Sequence, residues 1–356
     1  MNGGLFYHGG DTGRYAEESG LKPGEITDFS ANLNPLGPPS WLKPLLDDVY
    51  GDITKYPDPG ASGFVRAVSQ KTGEPESNIV PGNGATELLR AIPAALRVKR
   101  GVIPVPSYTD YEKACLLARM EVETVECREA DSFAIHADAL RRTIRDGDIV
   151  FIGRPNNPTG HVMGGDELRE LALSSPSSAF VVDESFGGFV EGFDSLAIRR
   201  PGNVIVVVSL TKLFCIPGLR AGYLVADEKI ASAIRDHIPP WSMNTFAQAA
   251  AARAVMDDGY VAASQKFVRE RRDELIKNIG PIGAFTVFPP AANFILARIN
   301  VDGLDCHALY SRMLKKGAAI RRCDNFRGLG SRYFRVAVRG EKENAKLVAA
   351  LEDAIR

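Results

Sequence analysis

The stretch Val204-Ile205-Val206-Val207-Val208-Ser209-Leu210-Thr211-Lys212, with Gly218-Leu219-Arg220-Ala221-Gly222-Tyr223 shortly after it, decides the fold of this chain. Residues 204–208 are β-branched throughout, which suits a strand covered on both faces, as in a parallel sheet flanked by helices. A lysine just beyond such a strand lies at the carboxyl edge of the sheet, where α/β proteins gather their active sites. There an ε-amine is partly desolvated, its pKa falls, and it becomes a nucleophile toward an aldehyde. The hydroxyls of Ser209 and Thr211 and the guanidinium of Arg220 form a donor set suited to a phosphate. Lysine–aldehyde chemistry beside a phosphate cradle points to pyridoxal 5'-phosphate as cofactor.

Working outward, strand-like runs alternate with helical patterns between about residues 79 and 226. The strands are expected at 102–105, 122–125, 149–153, 180–183, 204–209 and 223–225, with amphipathic segments such as 108–118 and 165–173 between them. That alternation predicts an α/β fold: a mostly parallel central sheet with helices on both faces. After Pro239-Pro240 the texture changes to a long helical stretch over 244–278, interrupted near Gly259. Strands at 286–288, 294–299 and 333–338 and helices at 305–316 and 341–355 then predict a smaller α+β domain. The expected organisation is an arm over 1–44 packing with the small domain, a large domain over 45–240 that binds the cofactor, and a small domain over 241–356 that includes the interdomain helix.

The 356 residues are 45% hydrophobic and 24% charged, ordinary for a globular protein with ample core, and the net charge of −1 gives no reason to expect nucleic acid or an anionic membrane as partner. Residues 1–10 carry no basic region followed by an apolar stretch, so no signal peptide is expected, and no apolar run approaches a membrane span. The five cysteines (Cys115, Cys127, Cys215, Cys306 and Cys323) are scattered, odd in number and without metal-ligand spacing. They read as reduced thiols of a cytoplasmic protein, and no metal is expected.

Three further stretches carry chemistry. Gly82-Asn83-Gly84-Ala85-Thr86-Glu87 precedes a helical run, and glycine-exposed N–H groups at a helix N-terminus suit an anion. Asp183 closes the apolar run Val181-Val182, where a carboxylate can keep a pyridine nitrogen protonated. Arg154-Pro155-Asn156-Asn157-Pro158-Thr159-Gly160 is a turn after a strand, and the Asn157 amide can donate to a phenolate oxygen.

In that order, Asn156–Gly160, the strand ending in Asp183, Ser209–Lys212 and Gly218–Tyr223 resemble the aspartate-aminotransferase fold family of pyridoxal-phosphate enzymes over nearly the whole chain. The resemblance implies that Lys212 bonds the cofactor aldehyde, that Asp183 meets the pyridine nitrogen and Asn157 the 3'-oxygen, and that Tyr108 stacks on the ring. It also implies that Gly84, Ala85, Thr86, Ser209, Thr211 and Arg220 hold the phosphate, and that Tyr56 reaches the phosphate of a neighbouring subunit in a homodimer.

Two branches of that family compete. Histidinol-phosphate aminotransferases share all these motifs. Other segments resemble the threonine-phosphate decarboxylases of cobalamin biosynthesis: His8-Gly9-Gly10, residues 28–37, Ile320-Arg321 through Phe326, residues 331–339, and Asp183-Glu184-Ser185-Phe186. Phe186 stands where the aminotransferase branch usually has a tyrosine. By resemblance Arg335 binds an α-carboxylate, while His8, Asn32 and Arg321 serve a substrate phosphate. Asn157 also faces the substrate, and Arg322, Arg332 and Arg339 compete for such roles. The implied reaction is decarboxylation of L-threonine O-3-phosphate, with transamination of a phosphorylated amine, or decarboxylation of L-serine O-phosphate, as alternatives. A fold that has lost catalysis and senses a ligand is a further alternative, which retention of Lys212, Asp183, Asn157 and Arg220 argues against.

Overall fold

The computed structural model describes residues 7–356, so the first six residues of the expected arm lie outside the described residues. A seven-stranded sheet runs in the spatial order Ile79–Gly82, Gly222–Val225, Val204–Ser209, Ala179–Asp183, Ile149–Gly153, Arg100–Val105, Glu121–Glu126. Gly222–Val225 is antiparallel to both neighbours, and the remaining pairings are parallel.

The apolar runs are continuous because the sheet is covered twice, with successive side chains taking opposite faces. Val150, Ile152, Val182, Val204 and Val206 enter one core with Phe64, Leu168 and Ala250 from helices Ser62–Thr72, Gly165–Ser174 and Thr245–Val255. Ile149, Phe151, Val181, Ile205 and Val207 enter the opposite core with Leu88, Tyr111 and Ile234 from helices Ala85–Leu96, Thr109–Leu117 and Glu228–Arg235.

The second unit is an antiparallel sheet in the order Arg321–Arg322, Tyr333–Ala337, Phe294–Ile299, Phe285–Phe288. Its core draws Leu275, Leu309 and Leu347 from helices Asp258–Ile279, Cys306–Lys315 and Glu341–Ala354. Tyr15 and Phe29 join this core, and Thr27–Asp28 pairs in parallel with Ala318–Ala319. The arm also holds a short helix, Thr12–Ser19, whose N-cap Asp11 accepts the N–H of Arg14.

The helical stretch expected over 244–278 divides at Met256-Asp257 rather than at Gly259. Asp257 caps the second helix by accepting the N–H of Tyr260 at 2.9 Å, which places Gly259 inside its first turn. Among the described residues no helix is long and apolar enough to cross a membrane.

Candidate active site

Four parallel strands deliver the site from their carboxyl ends. Arg100–Val105 leads to Tyr108, Ile149–Gly153 to Asn157, Ala179–Asp183 to Asp183, and Val204–Ser209 to Ser209, Thr211 and Lys212. Tyr108, Asn157, Asp183 and Lys212 meet in a cavity that Thr86 and Phe186 also line.

Lys212 lies on the one-turn helix Leu210–Leu213, and its Nζ donates to Ser209 Oγ at 3.1 Å. Enclosure by protein lowers its pKa, and Arg220 works in the same direction against the charge of Asp183. The amine is therefore shifted toward its neutral, nucleophilic form. From the arm, Asn34 N–H bonds the Lys212 carbonyl at 3.0 Å, and the Asn34 side chain donates to the Leu213 carbonyl at 2.7 Å.

Asp183 accepts at both oxygens, from Ser185 N–H at 3.0 Å and from the Tyr111 hydroxyl at 2.9 Å. Tyr111 is buried, stacked on Phe151 and edge-on to Tyr108, and burial raises its pKa well above the usual phenol value. It stays a donor that holds the carboxylate still. Sequence reasoning missed this residue, because its partner Asp183 lies 72 residues away along the chain and no local pattern joins them.

The phosphate cradle depends on close backbone approach. Gly84 has φ +81°, and a Cβ there would meet Arg220 Nη2 at 2.7 Å. A Cβ on Gly222 would lie 2.8 Å from the amide nitrogen of Ala85, so a bare strand lets the helix N-terminus reach the Val204–Ser209 edge. Ser209 and Thr211 hydroxyls share a 2.8 Å hydrogen bond beside it. Gly84→Ala forces both a side chain at positive φ and a displaced guanidinium. Cofactor affinity is expected to fall by about 5- to 150-fold, matching roughly 1–3 kcal/mol of strain. Absorbance titration with pyridoxal phosphate checks this; unchanged affinity would contradict the cradle.

Arg335 and Arg321 lie opposite each other on adjacent antiparallel strands, 5% and 3% exposed. Arg335 reaches Asn157 Oδ1 and the Ser30 carbonyl, its Nε lacks a partner, and burial lowers its pKa to about 10. Arg321 donates to the Tyr7 carbonyl and to Asn325 Oδ1, both at 2.8 Å, between the rings of Tyr7 and Phe326. Among the described residues neither guanidinium has a carboxylate partner within ion-pair distance.

The other candidates separate. His8 pairs with Asp110 at 3.0 Å, its ring 5.7 Å from that of Tyr108. Asn32 is buried with an unpartnered Oδ1, its carbonyl held by Asn293. Arg322 bonds His307, Arg332 pairs with Asp302, and Arg339 ties down the carbonyls of Asp28 and Ala31. Phe186 packs edge-on against Phe294, whose ring lies beneath Arg335. Tyr56 is not brought to the cavity within one chain: it is 82% exposed, its ring 4.8 Å from that of Trp241.

This architecture coincides with a known family. The model of aminotransferase class I and II matches residues 24–351. The chain belongs to that family. It is 34% identical over 98% of its length to the threonine-phosphate decarboxylase of Salmonella typhimurium, covering 96% of that protein. It is also 34% identical over 97% of its length to the adenosylcobalamin biosynthesis bifunctional protein CobDQ of Leptospira interrogans, but spans only 41% of that longer protein. The crystal structure of histidinol-phosphate aminotransferase from Clostridium acetobutylicum superposes with TM-score 0.85 at 30% identity, over 92% of this chain and 98% of that one.

The chain is thus an enzyme with the aspartate-aminotransferase-like fold, and pyridoxal 5'-phosphate is its cofactor. The residues fit the group. A depressed lysine, a doubly held aspartate and a cradle that one Cβ would obstruct occupy one strand edge.

Proposed function

We propose that this enzyme decarboxylates L-threonine O-3-phosphate, releasing CO2 and (R)-1-aminopropan-2-yl phosphate, a cytoplasmic step of cobalamin biosynthesis. The carrying observation is the pair of buried arginines, Arg321 and Arg335, which face each other across adjacent strands with no carboxylate in ion-pair distance of either among the described residues. Two desolvated cations side by side repel unless anions arrive. A phosphorylated amino acid brings two, an α-carboxylate and a phosphate.

In this reading Lys212 would hold the cofactor by its aldehyde, and Asp183, fixed by Tyr111 and Ser185, would keep the pyridine nitrogen protonated. Tyr108, in the cavity lining, would cover the ring, and Asn157, whose Oδ1 accepts from Arg335, would offer its amide N–H to the ring's oxygen. Gly84, Ala85, Thr86, Ser209, Thr211 and Arg220 hold the cofactor's phosphate. Bound pyridoxal phosphate supplies an electron sink for the bond broken at Cα. Arg335 fixes the α-carboxylate, so that the carbon–carbon bond is the one presented for cleavage. His8, Asn32 and Arg321 hold the substrate phosphate. After CO2 leaves, Lys212 Nζ delivers a proton to Cα. Tyr56, exposed beside Trp241, completes the cofactor site of a second copy in a homodimer.

Phe186 favours this reading, because it offers no hydroxyl to the ring's oxygen and instead packs on Phe294 beneath Arg335. The 30% identity to a histidinol-phosphate aminotransferase structure supports a second reading, transamination of a phosphorylated amine. Serine phosphate is a third substrate, since one methyl is worth only roughly 1–3 kcal/mol of discrimination. Mass spectrometry of the products formed from threonine phosphate without any keto acid separates these. Loss of CO2 supports the decarboxylase. Unchanged substrate, with a ketone appearing once 2-oxoglutarate is added, contradicts it.

A further inference from the structure

Asp110 is a buried carboxylate with no part in the chemistry above. It lies in the first turn of helix Thr109–Leu117, two residues beyond Tyr108, and its side chain is 1% exposed. Its partners reach in from outside: His8 Nε2 at 3.0 Å and the Arg90 guanidinium, through Nη2, at 3.4 Å, with side chains 46% and 44% exposed. Burial alone would raise its pKa, but hydrogen bonds from His8, Tyr108 and Arg90 overcome this and hold it at about 2. A buried carboxylate so dependent on its partners exerts a strong pull on them.

One of those partners, His8, belongs to a strap over residues 7–10 that passes beside Tyr108 of the cavity lining. At Tyr7 the strap is tied to the small domain, its carbonyl accepting from Arg321 and its hydroxyl bonding Asp324. Gly10 N–H bonds Ser30 Oγ at 2.9 Å. A Cβ on Gly9 would fall 2.4 Å from the Ser30 carbonyl, so the strap closes only with glycine there. His8, between these anchors, crosses to the large domain and meets Asp110 beside Tyr108. With Nε2 given to Asp110, Nδ1 is the nitrogen left for a ligand.

We propose that Asp110 is a positioning residue: it anchors the strap over the cavity and orients His8 toward the substrate's phosphate. The second half rests on the phosphorylated-amino-acid reading above. The strap then spans the cleft between the arginine-bearing sheet and the cofactor site, and Asp110 couples them without touching substrate.

The test compares the cofactor-loaded wild type with Asp110→Asn, Asp110→Glu and His8→Gln. Hydrogen exchange without substrate reads the amides of residues 7–10, and steady-state kinetics with threonine phosphate read KM and kcat separately. Asp110→Asn is expected to speed exchange of the strap about tenfold through local opening. Exchange in helix Thr109–Leu117 should stay unchanged. KM should rise about tenfold with kcat within about threefold, for one lost charge-assisted hydrogen bond. Asp110→Glu should recover part of both effects, and His8→Gln should reproduce the exchange result with no additional effect in the double variant. Wild-type exchange in Asp110→Asn overturns the anchor. Faster exchange with an unmoved KM overturns the orientation of His8 toward substrate. If the wild type turns over no phosphorylated amino acid, the functional reading fails with the His8 half, while the exchange arm still decides the anchor.

Discussion

Lys212→Ala is expected to lower turnover by about ten-thousand-fold or more, the scale seen when a residue that bonds the reacting group is removed. The same position makes an opposite prediction for stability. In the cofactor-free chain, enclosure depresses the amine's pKa below its ordinary 10.5, so holding it charged destabilises the fold. The unfolded chain binds the proton more tightly, and stability rises with pH through the interval between the folded value and 10.5. Below the folded value the cost is fully present; above 10.5 it is gone. Lys212→Met, close in volume but without the charge, should therefore melt higher than wild type at neutral pH when both lack cofactor. Adding pyridoxal phosphate should reverse the order, because only wild type gains the linkage. Melting curves with and without cofactor check the sign. A Met variant that melts lower in both states would contradict the account of Lys212 as a strained nucleophile, and retained turnover in the alanine variant would remove Lys212 from the chemistry.

Arg335→Leu is the second large effect. Its guanidinium is buried and, among the described residues, has Asn157, the Ser30 carbonyl and the Phe294 ring as partners. Truncating one side of a desolvated charge pair costs about 2–5 kcal/mol, so kcat/KM for threonine phosphate should fall by about 30-fold to several-thousand-fold. Arg335→Lys keeps the charge but loses the two-pronged fork, and should recover only part. Without substrate, removing an unpaired buried cation should leave stability unchanged or improved. Kinetics and melting of both variants read this directly. A leucine variant with near-normal kcat/KM would show that Arg335 does not hold the carboxylate.

The fold was legible where one physical signal dominated. Residues 204–207 and 180–182 are β-branched or apolar on every position because both sheet faces are covered, and the structure divides them between two cores. The ends of those strands place Asp183, Ser209 and Lys212 on one edge, which follows from parallel topology alone. Less legible was Ile79–Gly82, a short strand broken by Pro81 that pairs on one side only, where proline costs no ladder bond. The arm read as irregular, yet Thr27–Asp28 forms a two-residue ladder whose partner lies far along the chain, beyond the reach of local pattern. Tyr111 and Asp110 escaped notice for a similar reason. Each acts through another residue, Asp183 or His8, and only the folded chain brings those partners together. Tyr56 marks the opposite limit, because among the described residues of one chain it stands exposed beside Trp241, away from the cavity.

Carbon-13 placed in the carboxyl group of L-threonine O-3-phosphate reports directly on which bond at Cα the enzyme breaks. The cofactor-loaded enzyme is incubated with this substrate and 2-oxoglutarate together, so that both reactions are open. The label is expected to leave as CO2, the remaining product to be an amine phosphate, and 2-oxoglutarate to stay unconverted to glutamate. Label retained in a keto acid, with glutamate formed in equal amount, would contradict it.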